Sequence, residues 1–113
     1  MGPLKQEIEL EKVLNTVKCI EPNIKLPPIH MFQFIDRDDR YGDASSIGEI
    51  RLSMRTIGDF DCKNEQFVST IIHEVTHLNC WEEGHNEKFQ MMNAFLFDRV
   101  WKKLMEGGSE SGT

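Results

Sequence analysis

Apolar and polar positions along the chain divide it into five segments. From 4 to 20, Leu10, Val13, Leu14, Val17 and Ile20 recur at helical spacing, with Glu and Lys between them. Glu21-Pro22 ends that helix, because proline lacks a donor and restricts the residue before it. "KLPPIHMFQFID" reads as extended, with a strand over 29–35 rich in aromatic and branched residues. "RDDRYGDASS" is a polar loop. "IGEIRLSMRT" then alternates: Ile50, Leu52 and Met54 on one side, Glu49, Arg51, Ser53 and Arg55 on the other. That period predicts a strand with one buried and one wet face.

Asp61 and Asn64 are good caps for a helix over 63–80. A last helix is expected over 87–105, capped by Asn86 and stopped by Gly107, with Phe89, Met92, Leu96, Val100 and Leu104 as its core stripe. The expected class is α+β: an N-terminal helix, a two- to three-stranded sheet, a middle helix packed on that sheet, and a C-terminal helix. Residues 1–106 form one domain and 107–113 a flexible tail in this reading, since 113 residues suit one small core.

Composition changes this picture little. Hydrophobic residues are 39% and charged residues 28%, a globular balance. A formal charge of −6 argues against nucleic acid as the partner of this domain, because a phosphate backbone calls for a basic face. Cys19, Cys62 and Cys80 are odd in number and show no CxxC spacing, which suits reduced thiols in a cytoplasmic protein. No apolar run approaches the ~18 residues of a membrane span, and "MGPLKQEIEL" has no apolar signal core.

The candidate chemistry lies in "IIHEVTHLNCWEEGHNEKF", residues 71–89, which holds three of the four histidines. With Phe67 at zero on a helical wheel, Val68, Ile71, Ile72, Val75 and Leu78 fall at about 100, 40, 140, 80 and 20°, one buried arc. His73 and His77 fall at about 240 and 280°, opposite the core and one turn apart. Two imidazoles so placed can grip one metal ion. Glu74, at about 340°, stands beside the pair rather than in line with it, the position of a general base toward water.

Catalytic zinc takes three protein ligands and keeps one open position. His85 is the expected third ligand, because Gly84 lets the chain turn back after the helix and Phe89 can hold the ring. Cys80 is the rival: at about 220° it lies on the ligand stripe, and a His₃Cys set would be closed and structural. Glu82 and Glu83 are further candidates.

This segment resembles the active-site segment of the SprT-like and WLM metallopeptidases of the zincin superfamily. There HExxH lies on a helix, and a third histidine opens the next helix in a Gly-His-x-x-x-Phe setting, here Gly84, His85 and Phe89. "GEIRLSMR" is similar to that family's edge strand. The resemblance covers residues 45 to 105 and implies a small zincin-like fold. It implies Zn²⁺ on His73, His77 and His85, with Glu74 activating water, and an extended protein or peptide substrate added along the edge strand 48–55. The eight-residue gap from His77 to His85 is longer than in WLM proteins and shorter than in many SprT-like ones. Minigluzincins, similar in length and layout, use a glutamate as third ligand. Tyr41, Arg51, Arg55 and His30 are candidates for stabilising an oxyanion, with His30 more simply structural. The alternative function is a non-catalytic, zincin-like zinc-binding module that mediates protein interaction. A metal-free adaptor acting through its acidic surface is a third reading.

Overall fold

A computed structural model describes residues 5–45, 47–80 and 87–106. Its elements run α1 (Lys5–Ile20), a 3₁₀ turn (Ile29–Met31), β1 (Phe32–Ile35), β2 (Gly42–Ala44), β3 (Ile50–Ser53), α2 (Met54–Ile57), α3 (Glu65–Asn79) and α4 (Glu87–Met105). This is the expected small α+β arrangement, with a mixed three-stranded sheet. The expected tail, 107–113, lies outside the described residues, as do the Asn86 cap and the Gly107 stop.

The helices follow their apolar spacing. Leu10, Val13 and Val17 of α1 are fully buried, and Val68, Ile71, Ile72 and Val75 of α3 form the predicted arc. These side chains join Ile50 and Leu52 of β3, and Leu96 and Val100 of α4, in one cluster. Asn64 caps α3: its Oδ1 accepts from the Gln66 N–H at 3.1 Å. No helix among the described residues is long and apolar enough to cross a membrane.

The sheet departs from expectation in three ways. Its order is β1-β3-β2, with β3 parallel to β1 and antiparallel to β2. So the segment expected to be the edge, 48–55, contains the central strand, with both sides paired. Of the two edge strands, β1 and β2, the second lies inside the stretch that reads as a polar loop. Second, β3 stops at Ser53, and 54–57 turn into α2. Ser53 breaks the alternation: it is fully buried, and its hydroxyl donates to the Arg37 carbonyl and accepts the Thr56 and Arg37 N–H groups. Met54, expected to face the core, is exposed. Third, Ile29–Met31 is a 3₁₀ turn, so β1 begins only at Phe32.

β2 forms although Gly and Asp are poor strand residues. A Cβ on Gly42 would stand 2.5 Å from the Arg51 carbonyl oxygen and 3.1 Å from Thr70 Cγ2. Only glycine lets β2 lie this close to β3 and α3 together. Asp43 then ion-pairs with Arg51 across the strands.

Candidate active site

A cleft of about 410 Å³ opens between the β1–β2 loop, α3 and α4. His73 and Glu74 line it, with Gln66, Ser69 and Thr70 upstream on the same helix. Arg40, Tyr41 and Gly42 form the opposite wall, and Asn93 reaches in from α4. The periodicity of α3 explains one wall: Gln66, Ser69, Thr70, His73 and Glu74 recur three or four apart and share a face.

His73 and His77 stand as their spacing predicts. Their ring centroids are 4.8 Å apart and nearly perpendicular. Phe89 of α4, almost fully buried, packs its ring 5.1 Å from His73 and 4.6 Å from His77. One aromatic side chain thus holds both imidazoles.

Glu74 is 5% exposed. Burial pushes its carboxyl up to about 7, and the Asp43 charge pushes in the same direction. It makes no hydrogen bond among the described residues. A mostly buried carboxyl that lines a cleft and bonds to no neighbouring side chain is a mark of a functional group.

Of the expected third ligands, His85 lies outside the described residues, with Glu82, Glu83 and Gly84. Cys80 is described. Among the described residues, no three His, Cys, Asp or Glu side chains converge on a metal position. α3 ends at Asn79, and Cys80 adopts φ −130° and ψ 39°, so the helical wheel no longer applies to it. Its Sγ lies 3.6 Å from Met92 Sδ. Two imidazoles one turn apart, with a mostly buried carboxyl beside them, fit two ligands and the proton acceptor of a zinc centre.

Among the oxyanion candidates, only Tyr41 lines the cleft, half exposed at its mouth. Arg51 is tied to Asp43, Arg55 pairs with Asp36, and His30 is exposed on the 3₁₀ turn. Arg40 and Asn93 were not among the sequence candidates. Arg40 carries no sequence signal beyond its place in a charged loop. Asn93 does: it lies four residues after Phe89 and three before Leu96, a polar side chain on the buried stripe of α4.

No family model matches the chain, and no curated protein or solved structure matches it.

Proposed function

We propose that the protein is a zinc-dependent metallopeptidase related to the SprT-like and WLM zincins. His73, His77 and His85 are its metal ligands and Glu74 its general base. The observation that carries this reading is the pairing of opposites on one turn of α3. Two imidazoles pack against each other one turn apart, His73 lining the cleft, and next to them a mostly buried carboxyl lines the same cleft and bonds to no side chain.

Zinc, when bound, supplies Lewis acidity toward water and the scissile carbonyl. The chain's own residues do the rest. The Glu74 carboxylate takes a proton from the attacking water at one oxygen and passes it to the leaving amine nitrogen. The free edge of β2 takes over the substrate role expected of 48–55. Tyr41, Asp43 and Ser45 face β3, as the Ser53 N–H to Tyr41 and Ser45 N–H to Glu49 bonds indicate. The alternation leaves the Gly42 and Ala44 backbone groups toward the free side, where an extended peptide can pair.

Two measurements test this. Purified protein should hold one zinc per chain, lost in His85→Ala and kept in Cys80→Ala. Zinc-loaded protein should cleave dye-labelled casein, and Glu74→Gln should keep its zinc while losing roughly 10²–10⁴-fold in rate. Zinc that depends on Cys80, or unchanged turnover in Glu74→Gln, overturns the assignment.

A further inference from the structure

Among the described residues, one buried side-chain polar atom has no hydrogen-bond partner: Asn93 Oδ1. It belongs to a residue that lines the cleft. A buried acceptor left unpaired is rare and costly, and it asks for a donor. The polar neighbours on the walls do not supply one. Gln66 Nε2 donates to Thr70 Oγ1 at 3.1 Å, Thr70 Oγ1 to the Gln66 carbonyl at 2.7 Å, and Ser69 Oγ to the same carbonyl at 3.3 Å. Arg40 is committed to Asp39 and Asp43. None of them bonds Asn93 Oδ1, and a donor carried by whatever occupies the cleft can.

We infer that Asn93 is a positioning residue whose side-chain carbonyl accepts a hydrogen bond from a backbone N–H of the peptide held in the cleft. The inference rests on the peptidase reading for the nature of the occupant. The terminal torsion of asparagine has broad, shallow wells, so the amide can swing its oxygen toward the ligand without leaving its rotamer. α3 contributes the reacting groups and α4 contributes Asn93, so the bound backbone is gripped from two sides. A site built to pair a ligand N–H discriminates strongly against analogues that lack it, because its own polar group then stays unpaired.

The test uses two small amides, N-methylacetamide, which carries a peptide N–H, and N,N-dimethylacetamide, which does not. The folded, ¹⁵N-labelled chain is titrated with each, following the Asn93 side-chain amide and the Thr70 and Glu74 backbone signals. The expected result is saturable shifts with N-methylacetamide and about fivefold or weaker binding of the dimethyl compound. Asn93→Leu should remove the preference. In casein hydrolysis the same variant should raise KM about fivefold with kcat little changed. Equal binding of the two amides by the unaltered chain, or no shift at Asn93 with either, overturns the inference without recourse to a variant. Failure of the two readings is separable. Uncleaved casein with a clear amide preference sinks the peptidase reading and leaves Asn93 as a donor-binding residue. Cleaved casein without the preference does the reverse.

Discussion

Among the described residues two glutamates are buried, and they are treated in opposite ways. Glu9, on α1, is enclosed by partners. Its Oε1 accepts the Cys62 N–H at 3.0 Å and its Oε2 meets Lys12 Nζ at 2.9 Å. Burial raises its carboxyl, but the Cys62 N–H and the Lys12 ammonium outweigh that and hold it below the ordinary glutamate range. Glu74, on α3, has burial and a like charge and nothing to offset them, and it stands near 7. One carboxylate is spent on holding the 62 turn to the first helix. The other is left with its basicity intact at the wall of a cleft. The difference teaches that burial alone does not mark a candidate site; what the carboxyl is given to bond with also counts.

The largest expected effect separates the two by activity. Glu74→Gln should lose casein hydrolysis by roughly 10²–10⁴-fold, while Glu9→Gln, assayed per folded molecule, should stay within a few-fold of the parent. A comparable loss in both would erase the distinction.

The pH dependence of stability should differ in sign. In the chelator-treated chain, Glu74 holds its proton from its ordinary 4.5 up to about 7. The unfolded chain releases it earlier, so this group stabilises fully below about 4.5 and less as pH rises toward 7. The total is up to about 3 kcal/mol. Denaturant midpoints across pH 4.5 to 8 should show the decline, and Glu74→Gln should flatten it. Glu9 works the other way: its contribution is present above the ordinary glutamate value and is lost as pH falls through the lowered one.

Smaller again is Glu9→Ala. It leaves the Cys62 N–H buried and unpaired and should cost about 1–3 kcal/mol by urea unfolding. It should also lower the Cys62 thiol from about 12, where burial and then the Glu9 hydrogen bond now hold it. Thiol alkylation rates would report that fall. Smallest is Arg55→Ala. Its bidentate pair with Asp36, at 2.8 and 3.1 Å, is exposed, and the denaturant midpoint should not move.

Much of this contrast was legible in the residues. The α3 arc placed Glu74 at the border of core and ligand face, and burial at that border is what its pKa reflects. The imidazole pair followed from a spacing of four. Glu9 was not legible: it lies beside Leu10 in a charged stretch, and only the return of the chain at Cys62 gives it a partner from far along the sequence. β2 was hidden for a related reason. Its three residues have weak strand preference, and their pairing is decided by Gly42 fitting against Arg51 and Thr70. The end of β3 escaped because Ser53 keeps the polar half of an alternating pattern while its hydroxyl serves a buried turn. Local periodicity reports faces of long elements well; it is silent on contacts made across the chain.

Phe89 carries a last consequence. By packing on both His73 and His77 it restricts how their rings can turn once the chain has folded, before any ligand arrives. The ordering that a pair of loose imidazoles would undergo on capture is completed in advance, so less of the capture energy is lost to it. On the proposed metal-binding reading, an apolar residue of the core thereby sets an affinity. A change such as Phe89→Leu, which a stability assay would score as a modest repacking, would be read at the mouth of the cleft as a weaker dissociation constant and a faster release.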